Sequence, residues 1–408
     1  MGKFEPMISL DEAYGIVERT LAGTTPISET IPVRKALGRV TAADQISRLD
    51  LPPFDKSAMD GYAVLLGDER EEYVLVETVR AGRIASRPLV PGAAIKVMTG
   101  AAVPDGAGKV IILEHCEEEG DRVRVLKSDT AANICRKGED VRAGDVLLRA
   151  GTRLGPVEIA NLIACGITEV EVAKRTRVAV LSTGDEIVDS PEAITPGRIM
   201  NSNGPMLTAL AARHGLEVMS EQSIADDREA TKAAIAEAAR SSDIVILTGG
   251  VSVGEYDFVL EALSALGLTV HFSRIAVQPG KPTAYATAAD RAPQQTVVFG
   301  LPGNPVSVFL MFHLLVLRAA CWLTGRRPAV REFMLPLASA FKRRKSDRVS
   351  FVPARLTRNG TVEPVVCHGS AHLAALMSAD GFAMIPAGVT EIAQGEEVVF
   401  LPVIGVED

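Results

Sequence analysis

An apolar run from Asp243 to Leu247 ends in Thr248-Gly249-Gly250, and apolar residues at helical spacing follow from about Phe258 to Leu266. A buried strand, a glycine turn and a helix in that order constrain the fold more than any other stretch of the chain. Glycine at a strand end permits positive φ and close approach of a ligand to the backbone. Successive free N–H groups there form a concave anion-binding surface, to which Ser252 adds a hydroxyl donor. Glu255 and Asp257 supply oxygen ligands for a hard cation such as Mg²⁺. A phosphate–metal site fits this combination better than a purely structural turn. The glycines alone are weak evidence, because many doubly wound proteins need them only to change direction.

The same alternation extends from Arg177 to about Gly325. Val178–Leu181 reads as a strand; Asn203-Gly204-Pro205 reads as a helix start with Gly215 as its stop. Leu216–Ile224 is extended, and Asp226 or Asp227 caps an alanine-rich helix ending near Arg240. Further strands are expected near 270–275 and 296–299. The order predicts a doubly wound, mostly parallel sheet with helices on both faces, and ligands on such sheets sit beyond the carboxyl ends of the strands. From about Leu49 to Val146 short Val/Ile/Leu runs alternate with Gly, Pro and acidic turns, which predicts an inserted β-domain. Helical spacing before it, with Ser9 or Asp11 near the first start, and after it, from Pro156 to Cys165, predicts a helical domain made of two pieces. Residues 331–408 again read as strands, with turns at Asn359-Gly360, Asp380-Gly381 and Gly395. The segmentation is 1–48 with 147–176 (helical linker), 49–146 (inserted β), 177–328 (α/β) and 329–408 (C-terminal β).

A chain of 408 residues is expected to form several domains, and its net charge of -8 argues against general affinity for nucleic acid. Its five cysteines are dispersed with no CxxC pair, which suggests reduced thiols in a cytoplasmic protein. No signal-peptide core precedes Glu18. The stretch Val306–Leu323 contains His313 and Arg318 and follows Pro305, which fits a helix buried between layers better than a membrane span.

Ser182-Thr183-Gly184-Asp185-Glu186 follows the first α/β strand; its hydroxyls can donate to phosphate and its carboxylates can accept a metal or a ribose hydroxyl. Alone, it is better read as a turn and cap. Gln278-Pro279-Gly280-Lys281-Pro282-Thr283 presents a lysine on a stiff turn just after Arg274, two cations suited to an oxyanion. Leu301-Pro302-Gly303-Asn304-Pro305-Val306-Ser307 leads into the long apolar helix, whose N-terminus favours an anion. In the inserted domain Asp60, within Lys56–Ala63, and Thr99, within Lys96–Ala101, each stand beside glycine; a hairpin is the alternative reading for Asp60-Gly61. The basic segment Phe341–Arg348 reads by default as a solvated strand edge. His368 and His372, four apart, would share one helix face but lack a third zinc ligand.

The ordered set SAMDGYA, MTGA, STGDE, GGVSVGEYD, PGKP and LPGNPVS resembles the molybdopterin molybdenumtransferases, the MoeA and gephyrin E-domain family. The resemblance runs from about Leu10 to the C-terminal β-domain. It implies an elongated homodimer with a helical linker domain, an inserted β-domain, an α/β domain and a C-terminal β-barrel. It implies insertion of molybdate into adenylylated molybdopterin with release of AMP, and a molybdopterin adenylyltransferase as a possible pterin donor. By the same resemblance Gly249, Gly250 and Ser252 would hold the pterin phosphate or adenylate, and Ser182, Thr183, Pro302, Gly303 and Asn304 would line the same site. Glu186, Asp226 and Asp257 would bind Mg²⁺ or position the phosphoanhydride, and Asp60 and Thr99 would complete the cleft from the second subunit. Lys281, Arg274, Ser307, Arg348 and Ser370 would surround the oxyanion. Gln278 stands where many relatives carry a basic residue, and Arg274 where lysine is frequent, which bears on oxyanion affinity and on molybdate against tungstate. Two other functions remain: adenylyl transfer to molybdopterin, and a non-catalytic scaffold.

Overall fold

The computed structural model describes residues 7–128, 130–250, 258–288, 296–328 and 331–404. The chain divides into two compact units. One comprises Met1–Glu29, Gly38–Ala42 and Val172–Asp408; the other comprises Thr30–Leu37 and Ala43–Glu171.

The first unit is built on a six-stranded sheet. Its strands in chain order are β1 (Arg177–Thr183), β2 (Glu217–Ile224), β3 (Ile244–Thr248), β4 (Leu268–Phe272), β5 (Ala284–Ala288) and β6 (Val297–Leu301). The spatial order is β2-β1-β3-β6-β5-β4. The first four of these run parallel. β5 pairs antiparallel with β6, and β4 antiparallel with β5. The sheet is therefore mostly parallel, as the sequence predicts, with one reversed strand, β5, next to the edge, that it does not.

Two hydrophobic layers cover it. Val178, Val180, Ile244, Ile246, Val297 and Phe299 face one core; Ala179, Leu181, Val245, Leu247 and Val298 face the other. That alternation follows from the two-residue period of a strand buried on both sides. Helices α1 (Leu10–Leu21), α3 (Asn203–Arg213), α6 (Pro305–Met311) and α7 (Leu317–Leu323) contribute to the first layer. Helices α4 (Arg228–Ser241) and α5 (Val259–Ala265) contribute to the second, while α2 (Pro156–Ala164) belongs to the other unit. Ser9 caps α1 by accepting from Glu12 N at 3.1 Å, and Asp227, not Asp226, caps α4 by accepting from Ala230 N at 2.8 Å. This frees Asp226 for other work.

Pro305–Leu323 is helical throughout, with a π-helical turn at Phe312–Val316 between α6 and α7. It is the one helix among the described residues long and apolar enough to cross a membrane, and 67% of its apolar window is buried inside the unit. A core helix explains it.

The C-terminal strands of this unit follow the order Val277–Gln278, Val349–Leu356, Gly381–Ile385, Glu397–Leu401, Phe333–Pro336, with Val362–Pro364 paired to Val349–Leu356. The expected barrel does not appear as a closed ladder among the described residues. A single bridge, Leu337 to Val362, joins the last strand to Val362–Pro364. Asp380-Gly381 is not a positive-φ turn: Gly381 opens a strand so tightly packed that a Cβ would lie 2.0 Å from Leu401 O. His368 and His372 do not share a helix face. His372 precedes a short 3₁₀ segment, and its ring stacks on His368 at 5.2 Å between centroids. Nor is the basic segment wholly a solvated edge. Arg343 donates to Val389 O at 2.6 Å, to Arg348 O at 3.0 Å and also to Ser350 and Pro386 O.

The second unit holds another six-stranded sheet, in the order Ala107–Ile112, Gly61–Leu65, Ala93–Val97, Glu72–Val79, Arg122–Val125, Cys116–Glu119. Apolar residues fill both faces: Ala63, Ile95, Val97 and Val110 on one, Tyr62, Val64, Tyr73 and Ile111 on the other. Gly61 begins a central strand, where a Cβ would lie 2.1 Å from Ile111 O. The hairpin reading of Asp60-Gly61 is therefore set aside.

Candidate functional site

Four segments meet at the carboxyl ends of the parallel strands. Each follows its strand directly: Thr183–Glu186 after β1, Asp226 after β2, Gly249-Gly250 after β3 and Pro302–Asn304 after β6. Parallel register forces this, since every parallel strand delivers its outgoing loop to one edge.

At the β1 end, Thr183 Oγ1 donates to Asp226 Oδ1 at 2.5 Å, and Asp226 N donates to Asp185 Oδ1 at 3.1 Å. Glu186 folds back over Gly184, where a Cβ would lie 2.5 Å from its Oε2. Thr183, Asp185 and Asp226 thus form one oxygen-rich group, with Glu186 next to it in sequence, and Asp226 is a member rather than a cap. Ser182 is buried and donates to Asn201 Oδ1 at 3.3 Å. No group of three or more His, Cys, Asp or Glu side chains placed to hold a metal occurs among the described residues. Asp257, Glu255 and Ser252 lie outside them.

At the β3 end Gly249 and Gly250 both have positive φ, +93° and +61°. A Cβ on Gly249 would lie 2.2 Å from Thr183 O, so the turn packs directly against the β1 end. Gly249 N donates to Leu301 O at 3.2 Å, and Thr248 Oγ1 donates to Pro302 O at 3.0 Å. The two glycine loops are therefore tied together by the backbone itself.

Of the oxyanion candidates, Ser307 and Ser370 lie at the start of α6, and the Lys281 turn packs against its end. The Pro279–Thr283 turn is pinned by Thr283 Oγ1 donating to Gly280 O at 2.7 Å, and Gly280 packs against Met311 of α6. Lys281 O accepts from Ile275 N, at 3.0 Å, while the residue itself is exposed. Arg348 Nη1 donates to Val277 O at 3.3 Å, just before this turn. Ser370 O accepts from Val306 N at 3.0 Å, next to the buried Ser307. Arg274 is half-buried, and its carbonyl accepts from Ile8 N at 3.1 Å. Sequence reasoning missed Asn201 and Asn203, whose side chains bond to residues 45 to 100 positions away in the case of Asn203. Only their place at a helix start marked them.

In the second unit Asp60 and Thr99 come together. Asp60 Oδ1 accepts from Thr99 N and from Thr99 Oγ1, both at 2.7 Å. The Thr99 backbone N–H and then its hydroxyl hold the Asp60 carboxyl below its ordinary value of 3.8. A depressed folded value contributes stability above the unfolded pKa, and that contribution is lost as pH falls through the folded value. Thr99→Val removes the hydroxyl donor. The Asp60 carboxyl, followed by carbon-detected NMR titration, should then move up toward 3.8. An unchanged titration would mean the hydroxyl plays no part in holding the charge.

A mostly parallel α/β sheet with glycine loops and carboxylates at its carboxyl edge is the class of protein to which this unit belongs. Three family models match in order: MoeA N-terminal region (domain I and II) over residues 8–166, probable molybdopterin binding domain over 179–320, and MoeA C-terminal region (domain IV) over 335–403. The molybdopterin molybdenumtransferase of Staphylococcus aureus is 33% identical over 380 residues, 90% of each chain. Its namesake in Staphylococcus epidermidis is 32% identical over 379 residues, covering 90% of this chain and 89% of the relative. The crystal structure of the molybdopterin biosynthesis moeA protein from Pyrococcus horikoshii OT3 superposes with a TM-score of 0.83 at 31% identity, covering 97% of this chain and all of that one. The chain belongs to the MoeA family of molybdopterin molybdenumtransferases.

Proposed function

We propose that the protein completes molybdenum cofactor synthesis by inserting molybdenum from molybdate into adenylylated molybdopterin, with release of AMP. The observation that carries this reading is the joining of the two glycine loops, Gly249-Gly250 and Pro302-Gly303, to the carboxylate group at the β1 and β2 ends. Family membership supplies the chemistry. The N–H groups of Gly250 and Gly303, with Ser252 and Asn304, hold the pterin phosphate or adenylate, while Gly249, Ser182 and Thr183, whose own hydrogens are donated within the fold, shape the site around it. Lys281, Arg274, Ser307, Arg348 and Ser370 receive the molybdate. Both reactants are anions, so cationic side chains and N–H donors offset their repulsion while fixing their alignment. Gln278, exposed beside this group, leaves it one cation short of many relatives and bears on the choice between molybdate and tungstate.

The donor set at the strand ends is all oxygen, which suits a hard cation. Glu186, Asp226 and Asp257 would hold Mg²⁺, which would supply positive charge at the phosphoanhydride. In this reading the chain is a cytoplasmic homodimer, and Asp60 and Thr99 reach the cleft from the second subunit. A molybdopterin adenylyltransferase donates the pterin. The division into 1–48 with 147–176, 49–146, 177–328 and a C-terminal barrel domain over 329–408 belongs to the same reading. No nucleic-acid or membrane partner is required.

The test is AMP release from adenylylated molybdopterin by purified protein with Mg²⁺. We expect release that depends on molybdate. Equally fast release without molybdate would overturn coupled insertion, and no release under any condition would favour the scaffold. Formation of adenylylated pterin from ATP would favour the adenylyltransferase.

A further inference from the structure

We infer that Asn203 is a positioning residue for this reaction: it is a strut that, beside the direct bonds between the two glycine loops, holds them in register. This rests on the function proposed above. Asn203 opens α3 and is 7% exposed. Its Nδ2 donates to Gly303 O at 2.7 Å and to Thr248 Oγ1 at 3.0 Å.

The directions of these bonds are fixed by chemistry. A backbone carbonyl only accepts, so the amide group facing Gly303 O is the NH₂. Thr248 spends its own hydrogen on Pro302 O, at 3.0 Å, so its oxygen accepts from Asn203. Both amide hydrogens are thus committed, one to each loop. The bond to Thr248 holds the residue just before Gly249, and the bond to Gly303 holds the other loop. The loops meet closely: a Cβ on Gly303 would lie 3.8 Å from Gly249 Cα.

The remaining atom shows what this costs. Asn203 Oδ1 is shielded from solvent and accepts no hydrogen bond from the described residues. A buried, unsatisfied acceptor is destabilising, because it loses its bond to water and gains none in return. Stability alone would favour an apolar side chain of the same size, particularly as Gly303 is exposed and its carbonyl can turn to water. The asparagine is therefore explained by geometry rather than by stability. Misplacement of about 1 Å at such a site lowers turnover on the order of 100-fold.

The experiment uses the full chain carrying Asn203→Leu or Asn203→Asp. For Asn203→Leu we expect an unchanged or raised melting temperature and a fall of roughly 30- to 100-fold in kcat for molybdate-dependent AMP release. Amide hydrogen exchange should quicken in residues 248–250 and 301–304. For Asn203→Asp we expect the same loss near neutral pH and partial recovery as pH falls, because a protonated carboxyl regains one donor for Gly303 O. Melting temperature and turnover falling together would overturn the inference in favour of a general structural role. Unchanged turnover or unchanged exchange would overturn it outright. If the exchange changes appear but the wild-type protein releases no AMP, the strut stands and the proposed function fails.

Discussion

Asp226→Asn is expected to reduce molybdate-dependent AMP release by about 100- to 1000-fold, the scale seen when one preorganised electrostatic group is removed from a reacting centre. The melting temperature should shift little. The reason is the local geometry. Thr183 Oγ1 donates to Asp226 Oδ1, and an asparagine amide oxygen can accept the same bond. The backbone bond from Asp226 N to Asp185 Oδ1 does not involve the side chain at all. The substitution therefore removes a charge and leaves the turn in place. Steady-state AMP release and thermal unfolding on the same preparations check it. Turnover at the wild-type level would remove Asp226 from the mechanism, and a matching collapse of stability would make it a structural residue. Asp257→Asn should behave in the same way.

Gly249→Ala should abolish turnover and destabilise the first unit as well. Gly249 adopts φ +93°, and left-handed backbone at a residue bearing a Cβ costs about 1–3 kcal/mol. The new methyl would also sit 2.2 Å from Thr183 O, a backbone atom that cannot swing aside. Either the β1 end or the β3 end must shift, and both carry site residues. Gly303→Ala is the control, because its Cβ meets its nearest atom, Gly249 Cα, at an ordinary 3.8 Å. Denaturant unfolding should separate the two, with only the Gly249 variant weakened. Equal stability of both variants would show that the turn has slack that the distances deny.

Much of this was legible in the sequence where one local signal dominates. Helix α3 and the strands β1 and β3 follow apolar periodicity, and their bounds fall within a few residues of the expectation, although Asn203 is the first residue of α3 and not its cap. The strand β5 escaped notice because Ala284–Ala288 is made of small residues around one tyrosine and shows little alternation. Gly61–Leu65 was hidden because its glycine reads as a turn, whereas the glycine is there to admit Ile111 O. The site divided along the same line. Glycine loops after strands announce themselves, but the pairing of Thr183 with Asp226 and the span of Asn203 from Thr248 to Gly303 depend on register between distant strands. No window of sequence carries that register. The roles of Asp226 and Asp227 illustrate the limit: two neighbouring aspartates of equal capping ability are told apart only by which one faces Thr183.

The reversed direction of β5 decides where the lysine turn arrives. Ala284 is in register with Gly300, at the outgoing end of β6, so the residues just before Ala284 enter the fold at the edge from which Pro302 and Gly303 leave it. Had β5 run with its neighbours, the five-residue strand would have carried Lys281 to the opposite rim, about 16 Å away. One strand laid backwards thus brings a cation to the edge where the glycine loops lie.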